Sequence, residues 1–97
     1  MNIGALKVTL RLPENGSLKD KRRVLKSIIA RVRSRFNVSI AEVDDHELWQ
    51  SATVGITCVS NQGRHANEIL CKVADYIEGV RDDAEVLDYQ IEIIPAL

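Results

Sequence analysis

The sequence predicts an α+β fold of the ferredoxin-like type, in which a four-stranded antiparallel sheet carries two helices on one face. Three observations lead to this prediction. Four segments alternate apolar and polar side chains, two segments repeat apolar side chains at helical spacing, and their order is strand, helix, strand, strand, helix, strand. Because 97 residues suffice for one hydrophobic core, we expect one domain spanning residues 1–97.

The first strand and the start of the first helix have clear local signals. Residues 3–12 alternate, with Leu6, Val8 and Leu10 on one face, and the turn-forming stretch 13–16 ends them. Ser17 followed by Asp20 resembles a capping box, in which a hydroxyl and a carboxylate accept hydrogen bonds from free amides at a helix start. We therefore predict that the first helix begins near residue 18.

The first helix is predicted to pack on the sheet through one apolar stripe. Its members recur at three- and four-residue steps, and they are Leu18, Leu25, Ile28, Ile29, Val32 and Phe36. The β-branched stretch 38–43 and the alternating stretch 52–60 predict two strands joined by the acidic segment 44–50. Trp49, in that segment, is predicted to pack against the edge of the core.

The second half of the chain repeats this order. Apolar residues at helical spacing from Ala66 to about Gly79 predict a second helix. Residues 86–94 then alternate and end at a proline, which predicts a closing strand with Leu87 on the core face and Asp88 on the open face. The open face of the sheet carries no predicted aromatic side chain. Its predicted members are Lys7, Thr9, Arg11, Thr53, Thr57, Asp88, Gln90 and Glu92, with Lys7 and Arg11 expected to pair with Glu92 and Asp88.

The near-zero net charge of −1 hides a strong segregation of charge along the chain. Residues 17–35 contain eight basic side chains and one acid, a charge of +7, while the remaining residues carry −8. On a helical wheel, five of the basic residues fall within an arc of roughly 100° beside the apolar stripe. These five are Lys19, Arg22, Arg23, Lys26 and Arg33, with Lys21, Arg31 and Arg35 assigned to the other edge of the stripe.

Five cations on one helix face repel one another and predict an anionic partner. Phosphate backbones suit such a face, so the sequence predicts a nucleic-acid-binding surface that contacts RNA, with the ribosome as a plausible particle. The alternative is a solvated face partly neutralised by acids of the second helix or of residues 42–47. A second functional alternative is a regulatory module that dimerises through its sheet face or an edge strand and binds an acidic protein partner.

Other classes of function lack a motif. No nucleophile elbow, phosphate-binding loop or Cys-x-x-Cys motif is present, so we expect neither catalysis nor a cofactor or a small-molecule substrate. The acidic run 44–47 is expected to be solvated and to bind no metal. Cys58 and Cys71 are expected to be buried, reduced thiols, and no apolar run is long enough for a membrane span or a signal peptide. These features predict a cytoplasmic protein without membrane attachment.

Three runs of this sequence, residues 17–27, 35–43 and 48–50, resemble the YlxP-like family of bacterial proteins, a domain of unknown function. The resemblance extends over essentially the whole chain and implies a ferredoxin-like fold, in agreement with the pattern of strands and helices. It brings no catalytic residues with it. Members of this family are often encoded beside factors for translation initiation and ribosome maturation, which associates the chain with translation but indicates no mechanism.

Overall fold

The computed structural model describes residues Met1–Leu97, and its elements follow the predicted order. They are β1 (Asn2–Arg11), α1 (Leu18–Arg35), β2 (Ser39–Asp44), β3 (Ser51–Ser60), α2 (Gly63–Gly79) and β4 (Glu85–Pro95). The strands form one antiparallel sheet in the order β2-β3-β1-β4, so β2 and β4 are the edge strands. The α+β, ferredoxin-like prediction is confirmed.

The core lies between the helices and one face of the sheet. Alternation in β1 places Leu6, Val8 and Leu10 on that face, where all three are buried. The stripe of α1 and the corresponding stripe of α2 cover them, with Ile28 and Leu70 fully buried. Each such side chain stabilises the fold by about 1.5–3 kcal/mol through removal of apolar surface from water. The other face of the sheet has no covering layer.

Helix α1 begins where the capping signal predicts. The Ser17 hydroxyl accepts a hydrogen bond from the amide of Asp20 at 3.1 Å, which satisfies one free N–H of the first turn. The carboxylate of Asp20 accepts from the amide of Gly16 at 3.3 Å. In a capping box this second bond would come from the amide of Ser17 itself. The second hydrogen bond of the capping box therefore comes from the amide of Gly16, one residue before the N-cap Ser17.

Strand β4 contains a bulge that changes which side chains face the core. Leu10 of β1 lies opposite Val86, whereas its neighbour Thr9 lies opposite Asp88, so Leu87 is the extra residue. Leu87 is 58% exposed and lines a depression together with Arg11 of the open face. The prediction that Leu87 faces the core is therefore wrong, because alternation assumes an unbroken strand and a bulge inserts one residue into the count.

A second bulge lies in β2. Glu42 pairs with Val54 and Asp44 pairs with Thr53, which leaves Val43 as the extra residue on the open side. Val43 packs directly over Gly55, where an added Cβ would lie 2.8 Å from its Cγ1 atom. Only glycine at position 55 allows this close approach. The bulge also leaves the carboxylate of Glu42 on the helix side of the sheet, toward α1.

The two cysteines do not form a disulfide. Cys58 is a buried free thiol and Cys71 a half-buried one. Burial raises the pKa of the Cys58 thiol, because a charged thiolate is poorly solvated there.

Neither helix combines the length and the apolarity that crossing a membrane would need.

Candidate nucleic-acid interface

The five basic residues singled out in the sequence lie together on the solvent side of α1. Lys19, Arg22, Arg23, Lys26 and Arg33 are all exposed, and we refer to them as the basic face. At 1.5 Å per residue the face runs for about 21 Å along the helix. The structure thus brings the predicted residues onto one exposed surface of α1, which borders the edge strand β2.

Acidic side chains do little to neutralise the basic face. Its one ion pair joins Arg23 to Asp20 at 4.0 Å, between side chains that are 71% and 42% exposed. An exposed pair at that distance has little energetic value. No acid of α2 or of residues 42–47 lies within ion-pair distance of the face, which argues against the alternative of neutralisation by direct pairs with those segments.

A groove runs between the basic face and the edge strand β2. Arg22, Lys26 and Arg33 form its rim, and Arg33 donates a hydrogen bond to the carbonyl of Ile40 at 3.1 Å. The guanidinium keeps further N–H donors for other acceptors. Below the rim the groove, of about 350 Å³, is lined by Leu25, Ile29, Ile40, Ala41 and Glu42. The basic face therefore borders a partly apolar channel beside unpaired strand backbone.

Two of the other basic residues of α1 contact the second half of the molecule. Arg31 donates a hydrogen bond to the carbonyl of Val80 at 2.9 Å. Arg35 lies over the ring of Tyr76, with its guanidinium carbon 5.0 Å from the ring centre. Both fix α1 against α2 and the turn that follows it, and so they belong to the architecture of the molecule.

Lys21 lies in the middle of the buried stripe, and its assignment to the edge of the stripe is wrong. Its side chain is 1% exposed. The sequence carries a signal for this, since residues 18, 21, 25, 28 and 32 follow the three-four spacing of a core-facing helix. A lysine is not counted as apolar, although its four-carbon stem can pack as an apolar residue does. The spacing of the stripe therefore indicates that Lys21 is buried, although its residue type does not.

The ammonium of Lys21 lies at the centre of a group of backbone carbonyls from residues 45–51. It donates to the carbonyls of Asp45 at 2.6 Å, Leu48 at 2.7 Å and Ser51 at 3.0 Å, and the carbonyl of His46 lies 3.4 Å away. Three shorter bonds account for its three protons. Glu42 lies 2.9 Å away through a carboxylate oxygen that makes no hydrogen bond, so it supplies charge to the site.

Further bonds hold the segment between β2 and β3, residues 45–50. The hydroxyl of Thr53 donates to the Asp45 carboxylate at 2.7 Å, and Asp45 has a left-handed backbone with φ of 63°. Gln50 donates from its side chain to the carbonyls of Pro13 and Asn15, both at 3.2 Å. With Lys21 on its inner side, this segment has a fixed shape. The acidic side chains of this segment do not form a cluster of three or more His, Cys, Asp or Glu residues of the kind that could hold a metal ion.

Trp49 projects outward from this segment. Its side chain is 54% exposed, so the prediction that it packs on the core is wrong. It lines a depression of about 820 Å³ together with Arg11 and Leu87. The reason is that Lys21, four residues into α1, occupies the interior position beneath the segment, and the tryptophan is left on the outside.

On the open face of the sheet, the basic side chains of β1 have other cross-strand neighbours than the predicted ones. Lys7 lies opposite Gln90, and Arg11 lies opposite Glu85. Neither base lies within ion-pair distance of an acid. The expected pairs with Glu92 and Asp88 are therefore wrong, because those acids lie opposite Ala5 and Thr9 in the register of β1 and β4. No strand residue that faces this side is aromatic, and Trp49, between β2 and β3, lies at its margin.

Comparisons with known proteins agree with the fold and with the family resemblance. The family model described as protein of unknown function (DUF503) matches residues 3–91. The chain is 43% identical over 63 residues to the uncharacterized protein YlxP of Bacillus subtilis (strain 168), an alignment that covers 65% of this chain and 68% of that protein. The resemblance noted in the sequence is thereby confirmed.

One solved structure shares the architecture. The C-terminal segment of the alpha subunit of aIF2 from Pyrococcus abyssi superposes with a TM-score of 0.50 at 16% sequence identity. The superposition covers 94% of this chain and 48% of that chain, so the chain spans about half the length of that structure. At this identity the likeness shows a common fold and nothing about activity.

Proposed function

We propose that this chain, which belongs to the DUF503 family of proteins of unknown function, is a non-catalytic module that binds RNA through the basic face of α1. Ribosomal RNA is the first target to test, because the family resemblance associates the chain with translation. The phosphates of the RNA would contact Lys19, Arg22, Arg23, Lys26 and Arg33.

One observation carries this proposal: the basic face is exposed and almost free of acidic partners. Like charges at neighbouring helix positions destabilise a helix by a few tenths of a kcal/mol per pair. The molecule holds 14 acidic residues, but only Asp20 forms an ion pair with this face, and Glu42 in the adjoining groove is paired with Lys21. Lys21, by contrast, has its own acid and a set of carbonyls. A row of uncompensated cations is the arrangement that releases counterions when it meets a phosphate backbone.

The chemistry of the surface favours contacts to phosphates over contacts to bases. The basic face includes no aromatic side chain on which a base could stack. Lysine and arginine side chains bound to phosphate give affinity and orientation with little sequence information. We therefore expect binding that responds strongly to salt and weakly to RNA sequence.

An acidic protein partner is the second candidate, and the groove beside β2 favours it. Leu25, Ile29 and Ile40 give this groove an apolar floor under a basic rim. The outer edge of β2 could also add a strand from a partner. Such a partner would remain associated after nuclease treatment, whereas RNA-dependent association would be lost.

The test is a salt titration of RNA binding. Affinity for fragments of ribosomal RNA is measured by fluorescence anisotropy at several salt concentrations, for the wild type and for a triple variant with Arg22→Ala, Arg23→Ala and Lys26→Ala. A matched control carries Arg64→Ala and Lys72→Ala, which remove exposed cations from α2. If five phosphates are neutralised, the plot of log affinity against log salt has a slope of about −3.5.

Each outcome decides between the candidates. We expect the triple variant to lose about 2 of that slope and the α2 control to keep nearly all of it. Equal losses in the two variants would mean a diffuse charge effect and would overturn the assignment to α1. Absence of binding by the wild type at low salt would reject the RNA proposal and direct the search toward a protein that copurifies after nuclease treatment.

A further inference from the structure

Most of the exposed large apolar side chains outside the chain termini lie on the uncovered face of the sheet or at its margin. Val43, Val59, Leu87 and Ile94 are between 40% and 66% exposed and belong to this face, and Trp49 lies at its margin. Scattered exposed apolar residues need no explanation, whereas a set on one face marks an interaction surface. We refer to this uncovered surface as the open face.

One end of the open face carries an apolar row across three strands. Ile3 of β1 lies opposite Val59 of β3 on one side and opposite Ile94 of β4 on the other. Residues directly opposite each other in neighbouring strands project on the same face. Val59 is 66% exposed and Ile94 is 40% exposed, so water covers this row when the chain is alone.

The other end of the open face carries the second apolar group. Trp49, Leu48 and Leu87 line one depression there with Arg11. The segment that bears Trp49 has a fixed shape, because the Lys21 ammonium binds its carbonyls from the inside. A preorganised aromatic side chain loses little conformational entropy on binding, which makes Trp49 a suitable anchor for a partner.

The middle of the open face is a shallow trough with side chains of both charges beside it. Ala5 and Gly55 form its floor, and the trough encloses about 540 Å³ between Lys7, Glu92 and Val43. The sheet thus combines apolar ends with a small-residue centre, and it lacks the single sign of charge that distinguishes the basic face of α1. This composition fits a protein surface better than a phosphate backbone.

The area of the open face is close to the smallest that a specific dimer needs. Three strands of about ten residues and the six-residue β2, at about 4.8 Å spacing and about 3.3 Å per residue, give roughly 570 Å² on each copy. Two copies would bury about 1,100 Å² in total, just above the roughly 1,000 Å² expected of a specific interface. A short peptide or a small ligand would leave much of this surface exposed.

We propose that the open face binds a second copy of this chain, with a two-fold axis parallel to the strands and lying between β1 and β3. This axis stacks β1 of one copy on β3 of the other. Val59 then lies over Ile3, Lys7 lies over the trough at Gly55, and the Trp49 segment lies over Arg11 and Leu87. Sheets packed in this way align within about 30° of each other, about 10 Å apart.

The charges at the centre of the open face are compatible with this arrangement. Lys7 and Arg11 of each copy come to lie over the uncharged residues Gly55 and Ser51 of the other, because each row of the sheet stacks on the same row of the second copy. Asp44 and Asp88 come opposite each other on the edge strands, a like-charge contact at the margin of the interface that weakens the dimer and that salt screens.

The dimer leaves the basic face of α1 accessible, because the helices lie on the outer surfaces of the two sheets. It would present two basic faces on opposite sides of one particle. The inference rests on the open face alone and is independent of the RNA proposal, so either can fail while the other stands.

The test is the mass of the protein in solution, measured by sedimentation equilibrium at up to roughly 100 µM, above the micromolar Kd that weak interfaces of this size show. Two variants disrupt the open face, Val59→Lys and Thr57→Arg, and both positions are exposed, so the fold should persist by circular dichroism. The control is Tyr89→Lys, because Tyr89 is paired with Val8 and faces the helix side of the same sheet.

The expected result is a wild type with twice the mass of the 10.9 kDa chain, a folded monomer for each open-face variant, and a dimer for the control. A wild type that stays monomeric at the highest concentration would overturn the proposal. A dimer that survives Val59→Lys and Thr57→Arg would overturn it as well, and would point to pairing along an edge strand.

Discussion

Lys21 and Lys26 lie five residues apart on one helix and have opposite environments. Lys21 is 1% exposed and binds three carbonyls beside the carboxylate of Glu42. Lys26 is exposed and has no ion pair. The first holds the segment between β2 and β3 in shape, and the second belongs to a surface that has only one long ion pair, between Arg23 and Asp20.

The difference shows that a count of basic residues overstates a binding surface. Eight basic residues lie between positions 17 and 35, yet Lys21, Arg31 and Arg35 serve contacts within the molecule. Position on the helix decides between the two roles, because each residue is rotated by about 100° from the one before it, which directs positions 21 and 26 to different sides. Removing the buried cation should therefore change stability far more than removing the exposed one.

The largest effect is expected for Lys21→Met, which keeps the apolar stem and removes the ammonium. The carbonyls of Asp45, Leu48 and Ser51 lose their donor, and the acid of Glu42 loses its counter-charge. Breaking a buried ion pair from one side costs about 3–5 kcal/mol of unfolding free energy. Urea denaturation followed by circular dichroism measures this change.

The matched control for that experiment is Lys26→Met on the solvent side of the same helix. Its unfolding free energy should remain within about 0.5 kcal/mol of the wild type, as for other surface substitutions. If Lys21→Met and Lys26→Met changed stability by similar amounts, the structural role assigned to Lys21 would be wrong. Fluorescence of Trp49, the only tryptophan, gives a second readout of the segment that Lys21 holds.

A smaller effect of opposite sign is expected for the triple variant with Arg22→Ala, Arg23→Ala and Lys26→Ala. Removing the three cations relieves repulsion on the basic face and introduces the residue with the highest helix propensity. The free energy of unfolding should rise by about 0.5–1 kcal/mol at low salt, and the gain should shrink as salt screens the charges. The same urea denaturation, run at two salt concentrations, measures it.

This prediction links stability to function. A variant that becomes more stable while it loses RNA affinity shows that the basic face is maintained for a partner at a cost to the fold. A triple variant that is destabilised by more than about 1 kcal/mol would indicate packing roles for these side chains. That result would remove the contrast between the two sides of α1.

The smallest effect is expected for the exposed pair of Arg81 and Asp83, which serves as a reference for the buried pair. Arg81 donates two hydrogen bonds to Asp83, at 2.7 and 2.6 Å, and they lower the pKa of that carboxyl from its ordinary value of 3.8. Because both side chains are about 30% exposed, Asp83→Asn should cost only about 0.2–1 kcal/mol at neutral pH.

The pH dependence of this pair follows from the direction of the shift. With a folded pKa below the unfolded one, the pair contributes fully above about pH 4, and the contribution fades as the pH falls through the folded pKa. Urea denaturation of the wild type and of Asp83→Asn should therefore differ at pH 7, and the difference should shrink as the pH falls below about 4. A difference that persisted at low pH would mean that the variant acts through something other than charge.

Much of the architecture was predictable from the sequence because it depends on local patterns. Alternation predicted the strands, and the Ser17 cap predicted a start of α1 near residue 18, where the helix begins. The five members of the basic face are exposed, as expected from their arc beside the apolar stripe. The bulges at Val43 and Leu87 were missed, since one inserted residue reverses alternation without leaving a local signal.

By itself the sequence determined the order of elements, the apolar stripes and the segregation of basic charge onto one helix, because each follows from residue type and spacing within one segment. Only the tertiary structure decided which carbonyls bind the ammonium of Lys21, that Trp49 is exposed and that no acid of residues 42–47 forms an ion pair with the basic face. The physical reason is that these outcomes depend on contacts between segments distant in the chain, such as α1 with the carbonyls of residues 45–51. The residue pattern of a single segment does not show which donor will bind those carbonyls.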